Sequence, residues 1–377
     1  MPLRAIARVN LAAIERNVAR LRTAAGPATR LCAVVKADGY GHGAVPVARA
    51  ALGAGASALA VATAGEAAEL RAAGVPGAIL VLGALSPEEL AVALDARAEL
   101  VAWREEFAAA AAAHAARRGA PAALHVKLDT GMGRLGTRDA AEATRVTERA
   151  AADDRLRLAG LMTHFATADE RGDAFFGAQL ERFLAWASPL RARHSGALLH
   201  AGNSAALLRD PAAHLDLVRP GVALYGLDPF GDDPAAHGLE PALELVSYVA
   251  EVKPCAAGES AGYGRRFVAT RDTVIATVPI GYGDGWRRNL TNDCDVLVGG
   301  RRRPLVGTVS MDNVTLDLGP GGGGVRRGAE AVLLGGRGGE RILAEEVARR
   351  LGTINYEVVC GLLPRVPRVH HRDGAPA

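Results

Sequence analysis

A chain of 377 residues with 49% hydrophobic and 23% charged residues can bury a sizeable core, and this ordinary composition excludes a disordered or fibrous protein. A net charge of +3 is too small to argue for nucleic acid or an acidic membrane surface as a partner. Four scattered cysteines (Cys32, Cys255, Cys294, Cys360) with no CxxC pair, no apolar signal core in MPLRAIARVN and no apolar run of transmembrane length point to a soluble, reduced, cytoplasmic protein.

Leu11 to Ala24 reads as an opening helix. Short apolar runs then alternate with amphipathic segments up to about residue 225. The strand candidates are LCAVVKA (31–37), ALAVAT (58–63), AILVLG (78–83), AELVAW (98–103), ALHVKLD (123–129), LAGLMTHF (158–165), ALLHAGN (197–203) and LVRPGVALYG (217–226). Helical segments such as 64–73, 104–118, 138–152 and 172–193 lie between them. Ser86-Pro87-Glu88-Glu89 reads as a helix start, with Ser86 capping and Glu89 reaching back. Eight such units predict a (β/α)8 barrel over residues 1–238, with a doubly wound open sheet as the structural alternative. After Pro229 a polar connector leads into strand-like runs separated by glycines: ALELVSYVAEV, TVIATVPI, DVLVG, PLVGTVSM, NVTLDL and EAVLLGG. One helix interrupts them at Leu343 to Leu351, so residues 239–377 read as a mostly β domain. GPGGGG (319–324) reads as a flexible hairpin loop, not a P-loop, and the tail HHRDGAPA as frayed.

Lysine carries the first chemical signal. Only three of the 44 basic residues are lysines: Lys36, Lys127 and Lys253. Arginine stays protonated, whereas lysine can lose its proton and form a Schiff base. Lys36 ends the first barrel run and precedes a glycine-rich turn with Gly39, Gly41 and Gly43; alone, it could also be a lysine snorkelling at a strand end. Other unusual residues fall at strand ends, where barrel active sites form. These are Lys127 with Arg134 beyond it, His164, Asn203-Ser204 and Arg219-Pro220-Gly221. Ser204 and the amides of Gly221 and Val222 suit the phosphate position that follows strands seven and eight. Tyr40, Tyr263 and Tyr282 each sit between glycines, which favours a shared pocket. Together these parts point to a phosphate-bearing aldehyde cofactor on a lysine, namely pyridoxal 5′-phosphate, with Arg219 facing its ring nitrogen. Taken singly, His164 also reads as a core histidine, Arg134 as a surface residue and Met311 as core. His42, His114 and the cysteines read as structural, and no cluster has metal-ligand spacing.

Nine stretches then carry a family likeness: AVVKADGYGHG (33–43), HVKLDTGMGRLG (125–136), LMTHFATADE (161–170), HAGNSAA (200–206), RPGVALYG (219–226), AGYG (261–264), PIGYGDG (279–285), VSMDN (309–313) and TINYEVVC (353–360). In them the sequence resembles the bacterial alanine racemases, fold-type III pyridoxal-phosphate enzymes. The resemblance implies that Lys36 carries the cofactor and acts as base on D-alanine. Tyr263, reaching in from a partner subunit, would act on L-alanine. It implies phosphate binding by Tyr40, Ser204, Gly221, Val222 and Tyr356, Arg219 on the ring nitrogen, and His164 beside the ring. Arg134 and Met311 would contact substrate, Lys127 would support Arg134 as a carbamate, Tyr282 would narrow the entry channel, and Asp312 would be a supporting residue. Gly283 and Trp286 depart from the usual pattern and bear on channel size and side-chain tolerance, and Asn313 stands where Gln is common. The expected product is D-alanine for peptidoglycan, made by a homodimer with no metal. The alternatives are a broad-specificity amino-acid racemase, a decarboxylase of the same architecture, which Arg219 disfavours, and a non-catalytic pyridoxal-phosphate carrier, which the second domain disfavours.

Overall fold

The computed structural model describes residues 4–377. They form two compact units: Ile14–Leu224, and the described residues up to Ala13 together with Tyr225–Ala377. Strands are numbered along the chain. β1 (Ala5–Asn10) belongs to the second unit.

The first unit is a barrel of eight strands: β2 (Arg30–Val34), β3 (Ala58–Val61), β4 (Ala78–Val81), β5 (Glu99–Ala102), β6 (Ala122–Lys127), β7 (Leu156–Met162), β8 (Leu198–His200) and β9 (Leu217–Val218). Each pairs in parallel with the next from β2 to β8, and β9 pairs in parallel with β2. The last strand thus lies beside the first, which excludes the open doubly wound order. The sheet is closed except at the β8/β9 seam, where no ladder forms. Parallel neighbours need long crossovers, supplied by helices Ala44–Gly53, Ala64–Ala72, Pro87–Asp95, Glu105–Arg118, Ala140–Ala152 and Phe175–Arg193. The helix ahead of β2 spans Leu11–Ala25.

The strands are shorter than their apolar runs. β2 ends at Val34, two residues before Lys36, and LVRPGVALYG contributes only Leu217–Val218. Pro220 has no N–H to give a ladder, and Val222–Tyr225 turn into a 3-10 segment. At Ser86 the expected cap forms in full. Glu89 N donates to Ser86 Oγ at 3.2 Å and Ser86 N to Glu89 Oε2 at 2.9 Å, with Pro87 in the first turn. Replacing Ser86 by alanine is expected to lower stability by about 1 kcal/mol, read from denaturant melts. An unchanged midpoint would remove the cap from the account.

The second unit is mostly β. Its largest sheet runs β16-β15-β18-β10-β1-β20-β21, where β10 is Leu243–Tyr248, β15 Asp295–Val298, β16 Arg301–Pro304, β18 Glu330–Arg337, β20 Arg368–Arg372 and β21 Ala375–Pro376. β11 (Glu251–Cys255), β14 (Thr273–Val278) and β17 (Val314–Asp317) make a second sheet, and β12 (Ser260–Ala261) with β13 (Phe267–Val268) a ribbon. β19 (Glu340–Ile342) pairs with β18.

Three expectations change here. ALELVSYVAEV is two strands in different sheets, β10 and β11. GPGGGG joins β17 to β18, which also lie in different sheets, so it is a connection between sheets and not a hairpin. The tail is ordered: Arg368–Arg372 pairs in parallel with β1, from Ala7↔Arg368 to Asn10↔His371. β1 itself escaped notice because its buried positions are Ala5, Ala7 and Val9 while Ile6 faces outward, so its alternation is weak in hydrophobicity.

Candidate active site

Val35 is buried, and Lys36 opens a turn of unusual hand. Ala37, Asp38, Gly39 and Tyr40 have φ between 51 and 59° and ψ between 39 and 52°, one turn of left-handed helix. Such geometry costs an L-residue roughly 1–2 kcal/mol, so the surroundings must hold it. Gly39 N donates to Val35 O (2.9 Å), Gly43 N to Asp38 O (2.9 Å) and Ala44 N to Asp38 Oδ1 (2.8 Å). Ala37 N donates to Glu66 Oε1 at 2.6 Å. The other oxygen of Glu66 accepts from Ala62 N and Thr63 N, capping the next helix. One carboxylate thus ties the Lys36 turn to the neighbouring βα unit. Glu66 was not singled out from sequence, because a capping glutamate looks the same whether or not it has a second task.

The turn drives Tyr40 inward, to 7% exposure. A Cβ at Gly221 would collide with the Tyr40 hydroxyl, so the glycine is required for this approach. Gly221 N donates to Ser204 Oγ at 2.9 Å and Ala223 N does so at 3.3 Å. Asn203 caps the short helix that starts at Ser204. The structure therefore brings Tyr40, Ser204, Gly221 and Val222 together in a small cradle of hydroxyls and amides.

Arg219 lies beside it, 3% exposed, and forms no ion pair with a carboxylate among the described residues. Its Nη1 donates to His200 Nδ1 (2.7 Å), and its Nη2 to Thr163 O and Ala201 O (both 2.9 Å), with His164 Nδ1 at 3.4 Å. Burial pushes the guanidinium down to about 10. Burial and then the positive charges of Arg219, Lys127, Arg134 and Lys36 hold the His164 imidazole far below its usual range, so it is neutral. The charges of Arg219, Lys127, Arg134 and Lys36 thus all act on His164.

Lys127 ends β6 and is 4% exposed. Burial, with Arg219 and Arg134 adding to it against Asp129, brings its amine down to about 8. Arg134 is exposed on the following loop, which Asp129 organises by accepting from Gly131 N (3.0 Å), Gly133 N (3.1 Å) and Arg138 Nε (3.1 Å).

The remaining candidates belong to the second unit. Tyr263 is 71% exposed, Met311 51% and Tyr282 39%. Tyr282 N donates to Ser310 O (3.1 Å) and Gly283 N to Met311 O (2.9 Å), which locks the Tyr282 loop onto the Met311 loop. A methyl on Gly283 would lie 3.0 Å from Met311 O and 3.1 Å from its Cγ, so this glycine sets the contact. Asp284 anchors both loops. It is fully buried, accepts from Gly281 N and pairs with Arg4 (2.9 Å) and Arg365 (3.2 Å). Arg365 also binds Asp312 at 2.7 Å. Thr308 Oγ1 donates to Tyr263 O at 2.7 Å. Tyr356 lies on the short helix Asn355–Cys360. Of the three glycine-flanked tyrosines, Tyr40 is thus in the barrel unit and Tyr263 and Tyr282 are in the other. No group of three or more His, Cys, Asp or Glu among the described residues could hold a metal.

Comparison with known proteins agrees over nearly the whole chain. Residues 9–229 match the model for the alanine racemase N-terminal domain and residues 242–370 that for its C-terminal domain. The chain is 43% identical over 366 residues to the alanine racemase of Desulforamulus reducens, covering 97% of this chain and 98% of that one. It is 44% identical over 368 residues to the alanine racemase of Geobacillus stearothermophilus, covering 97% and 93%. The solved alanine racemase of Streptomyces coelicolor superposes with a TM-score of 0.91 at 39% identity, covering 98% of each chain. A lysine at a barrel strand end, a buried arginine beside a hydroxyl-and-amide cradle and this likeness in both units agree: the chain belongs to the alanine racemase family of isomerases.

Proposed function

We propose that this protein interconverts L- and D-alanine with pyridoxal 5′-phosphate by a two-base mechanism, as a cytoplasmic homodimer that supplies D-alanine for peptidoglycan. The observation that carries the reading is the cluster at the carboxyl ends of the barrel strands. Ser204 Oγ, held in place by the amides of Gly221 and Ala223, and the Tyr40 hydroxyl against Gly221 form a compact set suited to a phosphate. Arg219 is a buried donor with no acceptor site that could take a proton, which suits an unprotonated ring nitrogen. The residues present therefore fit the cofactor. Bound there, it would supply the electron sink that makes the alanine Cα proton removable.

The chain's own residues divide the rest of the work. Lys36 Nζ takes or returns the proton at Cα on the D-alanine side, and Tyr263 Oη of a second copy does so on the L-alanine side. Arg134 holds the substrate carboxylate, and Met311 of the second copy bounds the space around the small side chain. Arg219 leaves the ring nitrogen unprotonated, which limits electron withdrawal and favours simple return of the proton over decarboxylation. The 71% exposure of Tyr263 and the 51% exposure of Met311 fit surfaces that a second copy covers. No helix among the described residues is long and apolar enough to cross a membrane.

The test is chiral analysis of L-alanine incubated with the purified protein, with and without added pyridoxal phosphate. Conversion to an equal mixture, dependent on the cofactor, is expected. Cofactor-loaded protein that leaves L-alanine unchanged would overturn the reading.

Lys127 carries a second expectation. An amine at about 8 has a useful neutral fraction near neutrality, and that fraction grows as pH rises through 8. Neutral Nζ can add to dissolved carbon dioxide, forming an N–C bond and releasing a proton. The carbamate anion then sits among Arg219 and Arg134. Protein equilibrated with 13C-labelled carbon dioxide should show a carbamate carbon resonance that Lys127→Ala removes; its persistence in that variant would assign it elsewhere. Lys127 in the folded state lies below its usual 10.5, so the unfolded chain binds more protons between about 8 and 10.5, and stability rises with pH across that window.

A further inference from the structure

Arg219 does not end at His200. His200 Nε2 lies 2.8 Å from His125 Nδ1, and His125 Nε2 lies 2.9 Å from Glu99 Oε2. The other Glu99 oxygen accepts from Arg157 at 2.7 Å. His200 is the last residue of β8 and fully buried, His125 lies within β6 at 2% exposure, and Glu99 is the first residue of β5. The chain of bonds therefore runs through the barrel interior from the carboxyl end of the strands to the amino end. There, Glu99, His125, Arg157, Arg30 and Cys32 line a cavity of about 130 Å³.

The barrel makes room for this. The β6/β7 register shifts between Leu124 and His125 and sets His125 opposite Gly160. A Cβ on Gly160 would lie 2.6 Å from His125 Nδ1 and 3.0 Å from His200 Nε2. Only glycine at that position leaves space for the two rings, which meet edge to face at 4.9 Å.

The ends of the chain decide the direction of every bond. Arg219 can only donate, so His200 Nδ1 must accept. Ionised Glu99 can only accept, so His125 Nε2 must carry a proton. Burial raises the Glu99 carboxyl, but the bonds from His125 and Arg157 outweigh it and hold it at about 2. Burial and the nearby Arg219 keep His200 neutral. An imidazole keeps at least one ring proton, so His200 carries its own on Nε2 and donates it to His125 Nδ1; that nitrogen accepts, which leaves the His125 proton on Nε2 facing Glu99. All four Arg219 contacts use Nη1 and Nη2, and Nε–H is engaged by none of them. A buried guanidinium with no carboxylate in contact needs compensation, and a polarised chain ending on a carboxylate provides some.

We propose that Glu99 and His125 are positioning residues for Arg219: they hold His200 in the Nε2–H tautomer, so that its Nδ1 only accepts and the guanidinium keeps a fixed orientation toward the cofactor ring nitrogen. This role rests on the cofactor reading above, but its first test does not. Nitrogen-15 spectra of the histidine rings in the apoprotein should show His200 and His125 as neutral Nε2–H tautomers. His200 protonated on Nδ1 in the unmodified protein would overturn the proposal with no variant made. Glu99→Leu should give mixed tautomers at His200, whereas Glu99→Gln, which keeps an accepting oxygen, should preserve the single form. A merely structural Glu99 would lower stability in both variants and leave the His200 tautomer unchanged, which would also overturn it. In the cofactor-loaded protein, Glu99→Leu should shift the absorbance of the bound cofactor and lower kcat roughly 10- to 100-fold with KM little changed, the size of effect seen when a carboxylate that orients a metal-bound histidine is removed. Glu99→Gln should restore most of the rate. If the protein proves not to bind pyridoxal phosphate, the loaded-enzyme results fail together while the tautomer result stands, which separates the two claims.

Discussion

Lys36→Ala is expected to lower the racemisation rate by at least about 10⁴-fold and to abolish the absorbance of lysine-bound cofactor. Proton transfer by a positioned side chain is worth about 10²–10⁴-fold, and the loss of the covalent hold adds to that. Lys36→Arg separates charge from chemistry. It keeps a cation at the strand end but has no amine to deprotonate, and it should be nearly as inactive as the alanine variant. The fold should survive both changes. The left-handed turn is held by backbone bonds, by Asp38 and by Glu66, and these bonds do not involve the Lys36 side chain. The check is a cofactor absorbance spectrum beside a rate measurement. Full activity in Lys36→Ala would remove this lysine from the chemistry.

Tyr263→Phe is expected to act on one enantiomer. With Tyr263 as the base for L-alanine, exchange of the L-alanine Cα proton with deuterated solvent should fall by about 10²–10⁴-fold. Exchange from D-alanine, which depends on Lys36, should persist. Conversion in both directions should collapse, because each direction needs both groups. The substitution is structurally mild. The ring is 71% exposed, and Thr308 fixes the Tyr263 backbone carbonyl and not its hydroxyl. An unchanged melting temperature with equal loss of exchange from both enantiomers would contradict the assignment of faces.

The barrel was legible because its strands are unbroken apolar runs separated by amphipathic helices, and the positions of Lys127 and Ser86 follow from that pattern directly. The short strand β9 was less so, since Pro220 and the 3-10 turn at Val222 interrupt a run that looks continuous. β1 and β20 were missed for a common reason. The pairing that ties them into the sheet joins residues more than 230 positions apart, as in Ala7↔Arg368 and Ala5↔Ser247, and neither strand alternates strongly. In the site, the lysine, the arginine and the glycine-flanked tyrosines announced themselves by rarity or setting. Glu66, Asp284, His125 and Glu99 did not. Each works through a hydrogen bond to something remote in sequence, and a glutamate on a strand end or a helix cap has no local signature for that. The left-handed turn from Ala37 to Tyr40 was equally hidden, because only one of its four residues is glycine.

One experiment bears on the central claim most directly. Lys36→Ala and Tyr263→Phe chains carrying different affinity tags can be co-expressed and the mixed dimer isolated through both tags in succession. Each variant alone should be nearly inactive. In the mixed dimer one site would lack both groups, while the other would combine an intact Lys36 from one chain with an intact Tyr263 from its partner. The account predicts about half the activity of the unmodified dimer. A mixed dimer no more active than either parent variant, or chains that never co-purify, would contradict a racemase whose two bases come from two copies of this chain.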